Sequence, residues 1–145
     1  MLAHRIAIAG FASLQIVTGV TLKKVDYSTL DDHSELYCLA HGICGEGQNC
    51  PEEEQYYIGS VALNREKSDR FPNTLYDVFH QTDPVQYACV WDGNYDREPT
   101  ETNWKVAEDL LENGSRLPDD VVWQSAEPQG SYIYVQTEYH YYCGG

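Results

Sequence analysis

Positive charge is what this chain has least of. Nine Lys and Arg stand against 23 Asp and Glu in 145 residues, a formal net charge of −14. Such a balance excludes a partner held through phosphate contacts, so nucleic acid is not expected. Paired Cys-x-x-Cys motifs and a second His cluster are also missing; His41, Cys44 and Cys50 leave a four-ligand metal site incomplete, and neither metal nor cofactor is expected. Internal repeats and low-complexity tracts do not occur. Nor is there a strongly apolar run of full membrane-spanning length. The nearest approach, residues 6–22, is uncharged but short, and it contains Gly10, Ser13, Gln15, Thr18, Gly19 and Thr21.

That run lies between His4-Arg5 and Lys23-Lys24, so residues 1–24 read as an export or anchor segment, with a membrane anchor through residues 6–22. No small-x-small cleavage site follows it, which favours an anchor over a cleaved peptide; an amphipathic or buried helix of the soluble domain is the alternative. Residues 25–34 read as a polar linker. Five cysteines, at positions 38, 44, 50, 89 and 143, suggest an oxidising, extracytoplasmic compartment. Two disulfides and one free thiol are expected, with Cys38 left out because it sits in an apolar helical run beside Leu36 and Leu39.

Residues 35–145 are enough for one domain with one core, expected to be monomeric. Asp32 or Ser34 can cap a helix from about Glu35 toward Cys44, in which Leu36, Leu39, Ala40 and Ile43 recur at three- and four-residue steps. Pro51 opens a second helix with Glu52, Glu53 and Glu54 at its positive end; Ile58, Val61, Ala62 and Leu63 form its buried stripe, and it ends near Lys67 or Ser68. Thr74 leads into a short helix, Leu75 to Gln81, which Asp83-Pro84 ends. Val85 to Tyr95 reads as a strand or extended loop, and Pro99-Thr100 opens a helix that Gly114 stops. Val121-Val122-Trp123 and Ser131 to Tyr142 are rich in Val, Ile and Tyr and predict a terminal hairpin or small sheet. The expected class is α+β, mainly helical, with this small C-terminal β element.

Among the glutamates from Glu35 to Glu66, Glu46 alone has glycine on both sides. Gly45 and Gly47 would leave the backbone open to an extended polymer. Leu39, Ile43 and Cys44 make the preceding segment apolar, which raises a carboxyl pKa and retains the proton that a general acid needs. The same spacing also describes an ordinary helix end whose last turn breaks at glycine. Twelve Tyr and three Trp suit stacking on sugar faces, although a core and ordinary surface tyrosines account for most of them.

Taken in order, Leu39-Ala40-His41, Gly45-Glu46, Val61-Ala62-Leu63-Asn64-Arg65, Phe71-Pro72-Asn73-Thr74 and Gln86-Tyr87 resemble the SleB/CwlJ-type cell-wall hydrolases. That family has a helix ending in Ala-Glu-Ala-Arg-Gly-Glu, a second ending in Leu-Asn-Arg, a Phe-Pro-x-Thr turn, a Gln-Phe segment and a late aromatic stretch. The resemblance runs from about Glu35 to Tyr142. It implies a lysozyme-like fold and cleavage of peptidoglycan between N-acetylmuramic acid and N-acetylglucosamine, by lytic transglycosylation or hydrolysis. Glu46 would be the catalytic acid/base; in transglycosylation one carboxyl suffices, because the muramic 6-hydroxyl attacks within the same molecule. The resemblance places Gln86 and Tyr87 on the sugar, Asn64 and Arg65 as braces beside the site, and His140 and Tyr142 on a groove wall. Gln48 stands where the family has Arg, and Asn49-Cys50 where it has Gly-Glu. Glu52, Glu53 or Glu54 can replace that second Glu only in space, and carboxylates at a helix start are usually dipole-pairing surface groups.

Two other classes fit parts of the pattern. Cys44 with His140 could form the nucleophile and base of a peptidoglycan amidase or endopeptidase, but Cys44 comes late in a helix, where the dipole disfavours a thiolate. A non-catalytic exported module holding glycan through its aromatic residues is the other. An acidic surface repels anionic polymers, so in each case short-range contacts must do the binding.

Overall fold

The computed structural model describes residues 24–145. The run 6–22, expected to export or anchor the chain, lies outside the described residues. Among those described, no helix is long and apolar enough to cross a membrane.

Three longer helices form the body: α1 (Glu35–Gly47), α2 (Glu52–Lys67) and α5 (Glu101–Asn113). The short α3 (Leu75–His80), α4 (Cys89–Asp92) and a 3-10 turn (Asn94–Asp96) lie between α2 and α5 in the chain. Local chemistry sets most of the boundaries. Ser34 Oγ accepts from the Tyr37 N–H at 3.2 Å, Thr74 caps α3, and Thr100 and Asn103 form a reciprocal capping box at α5. The apolar steps anticipated in α1 and α2 are buried: Leu39, Ala40 and Ile43 meet Ile58 and Ala62, with Phe79, Trp104 and Leu110 completing the core.

The strands β1 (Val121–Ser125), β2 (Tyr132–Gln136) and β3 (Tyr141–Gly144) form an antiparallel sheet in the order β1-β3-β2. The small sheet expected from Val121-Val122-Trp123 and Ser131 to Tyr142 is present. That later segment divides into β2 and β3 around a turn closed by Thr137 N–H to the His140 carbonyl, 2.9 Å, and β3 enters the middle. Burial explains the order: Val121, Tyr142 and Cys143 are fully buried, whereas β2 is largely exposed and belongs on an edge. Val61 and Leu117 join Val121 and Tyr142 in a second apolar cluster that fastens the sheet to α2.

Three expectations change. Val85 to Tyr95 is helical and turned rather than extended, because Cys89 and Tyr95 bury themselves against α1 while Val85 and Trp91 stay in solvent. The linker is held to the domain: Tyr27 stacks on Trp104 with ring centroids 4.1 Å apart and donates to Glu108, and Leu30 packs on the core. All five cysteines are free. Four of them are buried, and Cys44 directs its thiol to the Glu98 carbonyl at 3.9 Å rather than to another sulfur. The four buried cysteines act here as small apolar side chains.

Candidate active site

Glu46 lies in the last turn of α1. The helix runs through both flanking glycines and breaks at Gln48, whose φ is 38° and whose N–H bonds to the Cys44 carbonyl at 2.9 Å. Both glycines are buried, which overturns the reading of a backbone opened to a polymer. A Cβ on Gly45 would lie 2.9 Å from Cys89 Cβ and Sγ and 3.2 Å from the Tyr95 nitrogen. One on Gly47 would lie 2.8 Å from Ile58 Cδ1. The glycines therefore let α4 and α2 close on α1 around the half-buried Glu46.

Its carboxyl faces a cavity of about 260 Å³, lined also by Arg65, Gln86, Tyr87, Gln124, Tyr139 and His140. Burial pushes the Glu46 carboxyl above its ordinary value; His140, the Cys89 thiol and Arg65 oppose that rise, and Asp92 adds to it. The negative end of the α1 dipole also favours the neutral acid.

Arg65 forms the opposite side of this site and is 3 % exposed. Its Nε donates to the Val122 carbonyl at 2.7 Å, and its guanidinium carbon lies 4.9 Å from the Phe71 ring centroid, 5.0 Å from Tyr87 and 5.7 Å from Trp123. Motifs far apart in sequence thus converge on one cation: Arg65 lies in the last turn of α2, Phe71 opens the Phe-Pro turn and Tyr87 follows Gln86. Asn64 does not line the cavity. It ties α2 to the start of β1 by donating Nδ2–H to the Pro118 and Val121 carbonyls at 2.8 and 3.0 Å.

Glu54, named from the sequence only as one of three helix-start acids that could replace the family's second Glu in space, is the group whose place changes most. Expected at the surface, it is 3 % exposed, and its Oε1 accepts from His140 Nδ1 at 2.8 Å and from the Tyr142 hydroxyl at 2.6 Å. Burial by itself would raise this carboxyl, but the hydrogen bonds from His140 and Tyr142 outweigh it and hold Glu54 below the ordinary range. A signal was available: Glu54 precedes Ile58 by four residues and Val61 by seven, which puts it on the buried stripe. For Gln124 and Tyr139, no motif marked a place in the cavity.

Of the anticipated residues, Glu46, Gln86, Tyr87 and His140 meet at the cavity. Tyr87 forms a buried wall, and its hydroxyl is pushed up to about 12 by that burial. Tyr142 is fully buried behind His140 and bonded to Glu54, so it supports the wall without presenting a surface. Cys44 and His140 are not brought together. Cys44 does not line the cavity, and burial raises its thiol pKa, the opposite of what a nucleophilic cysteine needs.

The profile of the family described as Cell Wall Hydrolase matches residues 49–139. The chain belongs to that cell wall hydrolase family. The matched segment includes Glu54, Arg65, Gln86 and Tyr87; it begins just after Glu46 and ends just before His140. The spore cortex-lytic enzyme of Bacillus subtilis strain 168 is 34% identical over 79 residues, covering 54% of this chain and 25% of that protein. Its counterpart from Bacillus cereus is 31% identical over 78 residues, 54% of this chain and 29% of that protein. This cell wall hydrolase thus spans between a quarter and a third of the length of the curated relatives it matches. The fold is that of the catalytic domain of the germination-specific lytic transglycosylase SleB from Bacillus anthracis, with a TM-score of 0.65 and 21% identity over 82% of this chain and 99% of that one. The catalytic domain of Bacillus cereus SleB also has a TM-score of 0.65, with 22% identity over 83% and 99% of the two chains.

Proposed function

We propose that this cell wall hydrolase cleaves the glycan strand of peptidoglycan between N-acetylmuramic acid and N-acetylglucosamine, outside the cytoplasm, with Glu46 as the acid/base. The observation that carries the reading is a half-buried glutamic acid of raised pKa opening into a cavity built by the family's own motif residues. A carboxyl whose burial makes it hold its proton more tightly can donate that proton to the glycosidic oxygen as the C1–O bond breaks. The muramic 6-hydroxyl or a water then attacks C1, giving an anhydro or a reducing end respectively. Gln86 and His140 offer hydrogen bonds to the sugar, Tyr87 and Tyr139 offer ring faces, and Asn64, Arg65 and Tyr142 hold those groups in place.

Clearing of purified peptidoglycan suspensions tests this reading. Wild type is expected to clear them and Glu46→Gln to fail while remaining folded. Full activity in Glu46→Gln would overturn the assignment. Mass spectrometry of the released sugars separates transglycosylation from hydrolysis by the anhydro or reducing muramic end.

A further inference from the structure

Behind the cavity lies a buried carboxylate that the single-acid scheme does not use. Glu54 is almost wholly enclosed, and its Oε1 takes both the His140 Nδ1 bond at 2.8 Å and the Tyr142 hydroxyl bond at 2.6 Å. An ionised carboxylate only accepts hydrogen bonds, so the imidazole must carry its proton on Nδ1. In the neutral ring, Nε2 is then the acceptor nitrogen. His140 also lines the cavity that contains Glu46, and only about a fifth of its side chain is exposed, 20%. The ring is therefore held from behind by a group with no route to the substrate itself.

We propose that Glu54 is the positioning residue of His140, fixing Nδ1–H so that Nε2 takes the proton of the attacking hydroxyl while Glu46 gives its own to the leaving oxygen. This deepens the glycan-cleavage reading and rests on it, keeping Glu46 as the acid and assigning the base half of its role to His140. The step balances as follows. The Glu46 proton goes to the glycosidic oxygen, which leaves with the C1–O electron pair. The attacking oxygen bonds to C1, and its proton moves to Nε2. Glu46 ends as a carboxylate and His140 as an imidazolium, and proton return from His140 to Glu46 through solvent restores both. Buried Glu54 would supply the charge that accommodates the imidazolium, as the carboxylate does in a carboxylate-histidine pair.

The test combines rates on purified peptidoglycan with nitrogen NMR of the His140 ring in the same proteins. Wild type is expected to show the Nδ1–H tautomer. Glu54→Met, which has no acceptor, should lose that preference and about 100-fold in kcat with KM nearly unchanged, the usual contribution of one positioned acid–base group. Glu54→Gln retains an oxygen that can accept from Nδ1–H but carries no charge, so it should hold the tautomer better than Glu54→Met while its rate still falls well below wild type. His140→Gln should lose kcat by a similar factor, and it decides the matter even if Glu54→Met does not fold. An Nε2–H tautomer in wild type, an unchanged kcat in His140→Gln, or losses confined to KM would overturn the proposal. If wild type is active and Glu46→Gln is dead while His140→Gln is unimpaired, only this inference fails; an inactive wild type removes the glycan-cleavage reading beneath it.

Discussion

Glu54 Oε1 and His140 Nδ1 lie 2.8 Å apart across 86 positions of the chain. The pair joins the first turn of α2 to the turn before β3, and its histidine lines the cavity that Glu46 also lines. Two glutamates of the same site are thus displaced in opposite directions: burial dominates Glu46 and raises it, while hydrogen bonds overcome burial at Glu54 and lower it.

Opposite displacement predicts opposite dependence of stability on pH. At Glu46 the folded state holds its proton more tightly than the unfolded chain does, so this contribution is intact below the ordinary value of 4.5 and is lost as pH rises through the higher folded value. At Glu54 the contribution is present above 4.5 and is lost as pH falls through the lower folded value. Thermal melts should therefore find Glu46→Gln more stable than wild type at neutral pH, and Glu54→Gln less stable. Both differences should shrink on acidification. A Glu54→Gln protein that melts above wild type at neutral pH would contradict the hydrogen-bond account.

Arg65→Lys keeps the charge but loses the Nε–H bond to the Val122 carbonyl and the flat face held among Phe71, Tyr87 and Trp123. The expected cost is about 2 kcal/mol, typical of a hydrogen bond made by a charged group. Urea unfolding should show a lower midpoint with an unchanged slope. A midpoint equal to wild type would mean that the aromatic cage contributes little.

Gly45→Ala puts a methyl group against Cys89 and the Tyr95 backbone, at 2.9 and 3.2 Å. Overpacking of this kind costs about 1–3 kcal/mol. Because α4 must move away from the turn carrying Glu46, peptidoglycan clearing should fall along with the melting temperature. Loss of stability with full retention of activity would show that Glu46 does not depend on this contact.

Five free cysteines predict indifference to reductant. Melting temperature and clearing activity should be the same with and without a thiol reductant, and thiol titration of the denatured chain should count all five. A drop in melting temperature under reduction would restore the disulfides expected from composition.

The helices were largely legible because their information is local. Leu39, Ile43, Ile58, Val61 and Leu110 repeat at helical steps, and Ser34, Thr74 and Thr100 carry capping side chains just ahead of their helices. Glu46 stood out for its two glycines and for the motif around it. The glycines were given the wrong physical reason, since what they accommodate comes from α2 and α4, and a neighbour from another element leaves no mark on the residues beside them.

The sequence by itself determined the helical body, the acidic surface, the family pattern and a carboxylate worth attention, all of which follow from residue type and short-range periodicity. Only the tertiary structure decided that β3 lies between β1 and β2, that the thiols stay apart, and that Arg65 sits among three rings. It also turned Glu54 from one of three helix-start acids into a buried partner of His140 and Tyr142. The physical reason is the same each time: a strand neighbour, a sulfur contact or a desolvated carboxylate depends on which distant segment packs there, and burial then decides what the group's charge can do.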